Sequence, residues 1–163
     1  MLIKSENTSA YQLDLVDITI LQELQKNARL TLKELSQKAN LSTTPVYERW
    51  RRLEQLGYIK HYVTVLDAEK LHQTFTVYCM VKLQRLDHAT AVNFVNSVVN
   101  LPEVTECYNI SGDYDYMLKI MVSNMKTYRE FVLNVLGHIE AIGSVTSYFV
   151  MDEIKQSFEV PLM

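Results

Sequence analysis

"LSTTPVYERWRRLEQLGYI", Leu41 to Ile59, decides how this chain is read: it sets three arginines, the only tryptophan and a threonine pair within one helical repeat. Ser42 is a strong N-cap, Gly57 a strong C′ residue, and Pro45 falls in the first turn, where a missing amide costs little. At about 100° per residue, Val46, Trp50 and Leu53 share one side and form the seam against neighbouring helices. Trp50 is therefore a core residue rather than a stacking platform. The opposite side carries Thr44, Glu48, Arg51, Arg52 and Gln55, flanked by Thr43 and Tyr47 near the N-terminus. Arg49 sits at the edge of the seam, where an internal ion pair competes with any outward role. Two readings follow from these residues alone. One is a solvated face with internal pairs, such as Glu48 to Arg52 at i,i+4. The other is a recognition helix, with Ser42, Thr43, Thr44, Tyr47 and Glu48 near base edges and Arg51 and Arg52 near phosphates.

The sequence on the N-terminal side favours the second reading. Leu13, Val16, Ile20, Leu21 and Leu24 recur at three- and four-residue steps, an apolar stripe on a helix begun by Asp14 or Asp17. Thr31 and Glu34 have capping-box spacing for another helix running to about Lys38, with Leu32, Leu35 and Ala39 facing inward. Asn40 takes the following C′ place, since its side chain tolerates the left-handed region. Two helices joined by "ANLS", with a third as back wall, make a helix-turn-helix. "YIKHYVTVLD" alternates and predicts a strand leaving this domain, and "AEKLHQ" is a short link.

From Thr74 the period becomes two. "TFTVYCMVKLQ", "VTECYNI", "DYMLKIMV" and "SVTSYFVM" read as strands. "DHATAVNFVNSVVN" reads as a helix capped by Asp87, and "NMKTYREFVLNVLGHI" as one with Met125, Tyr128, Val132, Val135 and Ile139 on one face. The order β-α-β-β-α-β is the ferredoxin-like, split βαβ arrangement, so the chain is α+β. The division expected is 1–60 for the helix-turn-helix, 61–73 for the connecting strand and link, and 74–163 for the ferredoxin-like domain. Two helices cover one sheet face, yet Tyr78, Met80, Met117 and Met121 make the other face apolar as well. A second copy of the sheet is the simplest cover, which predicts a homodimer.

Net charge is −3, divided unevenly. Residues 1–60 carry nine Lys/Arg against seven Asp/Glu, a balance of +2; residues 61–163 carry seven against twelve, a balance of −5. The acidic total thus hides a mildly basic N-terminal part, compatible with nucleic acid. No apolar run reaches membrane-span length, and "MLIKSENTSAYQ" has no secretory core, so a cytoplasmic location is expected. Cys79 and Cys107 lie in strand-like runs and are expected reduced and buried. His61, His72, His88 and His138 lack metal-ligand spacing, and no nucleophile–base set accompanies Asp113 and Asp115. Neither an enzyme, a metal site nor a cofactor is expected. "ISGDYDYM" carries a Gly-Asp hairpin signal. Spacing leaves open a plain turn or one whose carboxylates attract the ammonium group of a small ligand.

Four segments in order, "LDLVDITILQELQKNARLTLKELSQKANLS", "TPVYERWRRLEQLGYIKHY", "SGDYDYMLKI" and "YFVMDEIKQS", resemble the Lrp/AsnC family of feast/famine transcriptional regulators over Leu13 to Ser157. The resemblance implies a winged-type helix-turn-helix binding double-stranded DNA and an effector-binding βαββαβ domain that dimerises through its sheets. It further implies assembly of dimers to a tetramer or octamer, with an amino-acid-like effector held near Gly112, Asp113, Tyr114 and Asp115, and Thr146 and Tyr148 as neighbours. The chain departs from the family pattern at Thr43, where Pro is common, at Trp50, where a small β-branched residue is common, and at Asn40, where Gly is common. These departures bear on the DNA target more than on the fold. A sensor that docks on a protein instead of DNA is the alternative reading, and a dimeric-barrel enzyme is a third without a supporting cofactor motif.

Overall fold

The computed structural model describes residues 11–162, which fall into two units. One runs up to Thr64 and includes the segment from Gln156 onward; the other is Val65–Lys155.

The first unit contains α1 (Leu15–Lys26), α2 (Leu32–Ala39) and α3 (Thr43–Gln55). Asp14 is the N-cap of α1. Its carboxylate accepts from the Asp17 amide at 2.9 Å while Asp17 returns an acceptor to the Asp14 amide at 3.2 Å, so both expected starters act together in one capping box. Thr31 and Glu34 form the second capping box, which holds the Glu34 carboxyl below its ordinary value through the Thr31 hydroxyl and amide. Asn40 adopts φ 53°, ψ 38°, and the amides of Leu41 and Asn40 reach back to the carbonyls of Ser36 and Gln37, closing the turn between α2 and α3. Gly57, at φ 77°, ends α3 the same way: the amides of Tyr58 and Gly57 return to the carbonyls of Leu53 and Glu54. Ile20, Leu35, Val46 and Leu53 are fully buried and carry the core between the three helices. Trp50 packs on it half-buried and donates its indole N–H to Tyr62 at 2.6 Å; Tyr62 in turn donates to Glu54 at 2.9 Å.

Residues 58–67 form no strand, contrary to the alternation in the sequence. A strand needs a ladder partner, and among the described residues none pairs with this segment. Tyr58, Tyr62, Val63, Val65 and Leu66 are exposed. The end of the chain returns to α1. The Gln25 carboxamide accepts from the Val160 amide at 2.6 Å and donates to its carbonyl at 3.2 Å, and Leu162 packs against the helical core.

The second unit follows the expected order: β1 (Phe75–Leu83), α4 (His88–Val98), β2 (Val104–Asn109), β3 (Tyr116–Val122), α5 (Met125–Asn134), a 3₁₀ turn (Leu136–His138) and β4 (Ile142–Phe149). The antiparallel sheet has the order β2-β3-β1-β4. Val77, Cys79 and Val81 of β1 and Leu118 and Ile120 of β3 are fully buried, in one core with Phe94 and Val98 of α4 and Tyr128 and Phe131 of α5. Tyr128 bonds Ser147 across this core at 2.5 Å, and burial pushes its phenol up to about 12. The helix expected to run to Ile139 stops at Asn134, where Gly137 and a 3₁₀ turn tighten the chain. Its inward face also shifts. Phe131 is buried, whereas Met125, in the first turn, is half exposed. Cys107 is exposed on the edge strand, contrary to expectation, while Cys79 is buried. An edge strand of alternating pattern covers its side chains less completely than a central one.

Candidate functional site

In the first unit, α3 presents Ser42, Thr43, Thr44, Tyr47, Glu48 and Arg51 to solvent. Ser42 holds the N-cap position at φ −69°, ψ 164°, but makes no side-chain cap bond, so its hydroxyl remains available. Arg51 is 56% exposed and, among the described residues, pairs only with Glu54 of its own helix, at 3.1 Å. Glu48 and Arg52, spaced for an i,i+4 pair, do not form one. Arg52 turns toward α1: its guanidinium lies 4.5 Å from the Tyr11 ring centroid, and its Nη2 is 3.7 Å from Asp17. Arg49 makes short contacts of 2.6 Å to Asp14 and 2.8 Å to fully buried Asp17. Hydrogen bonds to Asp17 and Asp14 raise its pKa further. The Asp14 carboxyl is lowered, first by the Asp17 amide and then by Arg49. The structure thus separates arginines that sequence reasoning grouped: Arg51 faces out, and Arg52 is shared with the α1 start. The signal for this cluster was present in the seam-edge position of Arg49 and the acidic helix start, but not the pairing itself.

In the second unit, the loop between β2 and β3 brings together Tyr114 and Thr146, whose hydroxyls bond at 3.0 Å. Gly112 has φ 129°, which disfavours any side chain although nothing crowds the position. The two aspartates differ. Asp113 is exposed and has no hydrogen-bond partner among the described residues. Asp115 is half-buried: its carboxylate accepts from the Leu83 amide at 2.8 Å, its amide donates to Val81 at 2.9 Å, and its carbonyl accepts from Ile110 and Asn109. Asp115 thus fastens the loop to the end of β1, and Asp113 is the free carboxylate. Tyr148 is 53% exposed and sits opposite Tyr78, while Thr146 sits opposite Met80, so both lie on the sheet face away from the helices. That face holds one feature the sequence reading missed. Lys119, between Met117 and Met121, is buried and pairs with Glu106 at 3.1 Å, and Tyr108 donates to the same carboxylate. An alternating strand with a single charge on its apolar outer face was the available signal.

A polar groove of about 590 Å³ beside α4, lined by Asn93, Asn96, Ser97, His138 and Glu140 among others, takes none of the loop residues. No helix among the described residues is long and apolar enough to cross a membrane.

Residues 13–60 match the model of a winged helix-turn-helix DNA-binding domain, and residues 76–160 match the Lrp/AsnC ligand binding domain. The leucine-responsive regulatory protein of Escherichia coli is 36% identical over 156 residues, 96% of this chain and 95% of its own length. A transcriptional regulator of Neisseria meningitidis, solved as a complex with L-Met, superposes with a TM-score of 0.89 at 34% identity, covering 92% of this chain and 97% of that one. An AsnC family regulator from Agrobacterium tumefaciens gives 0.87 at 34% identity, covering 91% and 97%. With a helix-turn-helix, a four-stranded βαββαβ unit and both domain matches in sequence order, this chain belongs to the Lrp/AsnC family of transcriptional regulators.

Proposed function

We propose that this regulator binds operator DNA through the outer face of α3 and is tuned by a small amino-acid-like effector at the loop of Gly112, Asp113, Tyr114 and Asp115. The observation that carries the DNA reading is the exposed row from Ser42 through Tyr47 to Arg51, with a hydroxyl at its start left free of capping. Hydroxyls and a carboxylate at a helix start suit base edges, and a guanidinium further along suits a phosphate. The effector reading is supported by the free Asp113 carboxylate, which matches an ammonium group, beside a glycine that lets a ligand carboxylate approach backbone amides. The L-Met complex of the Neisseria relative is consistent with that chemistry. Thr146 and Tyr148 complete the proposed ligand contacts.

The functional particle is a homodimer closed sheet to sheet, assembling further to a tetramer or octamer. Two recognition helices then lie about one duplex turn or a multiple apart, and sites are roughly palindromic. Effector binding favours one assembly over another, and linkage requires that DNA and effector shift each other's affinity reciprocally. Titration with duplex DNA at two salt concentrations, together with a thermal-shift panel of the twenty amino acids, tests the reading. Duplex binding with a steep salt dependence and stabilisation by particular amino acids are expected. Salt-insensitive or absent DNA binding would instead favour docking of the helical unit on a protein.

A further inference from the structure

Three arginines crowd α3, yet only Arg51 points away from the rest of its unit. Arg49 and Arg52, three residues apart, share the side that meets the start of α1. The buried Asp17 carboxylate accepts from the Tyr11 hydroxyl at 2.5 Å, from the Asp14 amide and from Arg49. Asp14 adds a second carboxylate to the same Arg49 nitrogen. Arg52 is held more loosely, over the Tyr11 ring, with its Nε buried and without a hydrogen-bond partner among the described residues. Tyr11 is itself braced by Tyr58, which donates to its carbonyl at 2.9 Å and meets its ring edge-on.

We infer that the acidic start of α1 is a specificity-setting clamp on α3. Asp14, Asp17 and Tyr11 draw Arg49 and Arg52 away from the duplex, so that these guanidiniums orient the helix instead of neutralising phosphates. The inference rests on the assignment of α3 as the DNA-contacting helix. Its physical basis is the division between phosphate and base contacts. Each phosphate-bound cation strengthens binding to every sequence alike, which raises the non-specific background without adding discrimination. A helix with three free arginines at its surface would hold DNA tightly and read it poorly. The clamp leaves the hydroxyl-rich start of α3 to do the reading, with Arg51 alone among the three arginines left for a phosphate. Asp14 and Asp17 are positioning residues in this scheme, since they act through the arginines.

Asp14→Asn is the informative variant. Asparagine caps a helix as well as aspartate does, so α1 keeps its start while Arg49 loses one of the two carboxylates that hold it. The probe is a random-sequence duplex, with the salt dependence of binding as the readout. The variant is expected to bind several-fold more tightly at low salt, with a slope steeper by up to about one unit. Arg49→Ala in the otherwise natural chain is expected to leave the slope unchanged, and in the Asp14→Asn background to abolish the gain. An unchanged or shallower slope in Asp14→Asn overturns the clamp, as does a shallower slope in Arg49→Ala or a gain that survives in the double variant. Thermal unfolding of each variant confirms that the slopes compare folded proteins. Failure of the natural protein to bind any duplex would overturn the DNA-binding reading itself, an outcome distinct from a bound protein whose slope ignores Asp14.

Discussion

Asp113 and Asp115 are two residues apart in the same loop, and their difference shows what a single residue's chemistry depends on. The Asp115 carboxylate closes an otherwise orphan amide, Leu83, at the end of β1. Removing it by Asp115→Ala is expected to cost about 1–3 kcal/mol in urea denaturation, the usual range for a half-buried donor left unsatisfied. Asp113→Ala, with no partner to lose, is expected to change stability by less than about 0.5 kcal/mol and to abolish the amino-acid response while DNA binding persists. An effector response retained by Asp113→Ala would reject that residue as a ligand contact. Spacing alone could not rank the two, because the amide that claims Asp115 lies 32 residues away in sequence. The arginines of α3 teach the same lesson. "RWRR" announces charge, but which guanidinium is free depends on the acids at the start of another helix. With Arg51 as a phosphate contact, Arg51→Ala weakens binding to all sequences and flattens the salt slope by about one unit. Loss of discrimination at an unchanged slope would move Arg51 to the base contacts.

At the scale of the element, local chemistry was legible where it is short-ranged. The acidic start of α1 at Asp14 and Asp17, the capping box of α2, the N-cap Asp87 and the left-handed stops at Asn40 and Gly57 are all settled within a few residues. Residues 58–67 were misread because they lack a strand to pair with, and the end of α5 because the apolar periodicity runs on past Asn134 through the local 3₁₀ turn at Gly137. The two stops give opposite predictions. Gly57→Ala is expected to destabilise by about 1 kcal/mol despite open space around it, because φ is 77°. Asn40→Gly, at φ 53°, is expected to be neutral or slightly stabilising. Equal changes at both positions in chemical denaturation would contradict the backbone argument. The caps also set an acid dependence. Asp87 is lowered, chiefly by the Thr90 amide and hydroxyl, and Asp14 and Glu34 are lowered by their own cap bonds. Because the folded pKa lies below the unfolded one, this stabilisation is present above about pH 4 and is lost as pH falls through the folded value. Asp87→Asn, which caps without titrating, should reduce the fall in denaturation midpoint between neutral and acid pH.

For the whole molecule, the decisive pattern is a sheet whose outer face, like its inner one, is lined with large apolar side chains, Met80, Met117 and Met121 among them. Its inner face is the core under α4 and α5; its outer face sets Met80 opposite Met117, Thr146 opposite Met80, and Tyr78 opposite both Lys119 and Tyr148. Alternation revealed both faces from the sequence, but not the ion pair of Lys119 and Glu106 set among the methionines. In the proposed sheet-to-sheet dimer this face leaves water altogether. A second carboxylate introduced at its centre would then be buried beside Glu106, which already takes the Lys119 charge, at a cost of several kcal/mol. Met117→Glu is therefore expected to sediment as a folded monomer at micromolar concentration, where the natural protein is expected to sediment as a dimer. Lys126→Glu, exposed in the first turn of α5 on the helix-covered side of the sheet, is expected to leave the dimer intact. The monomeric variant should also lose affinity for palindromic sites far more than for half-sites, since one recognition helix no longer positions the other. A natural protein that sediments as a monomer, or a Met117→Glu variant that remains dimeric, would require another cover for this face.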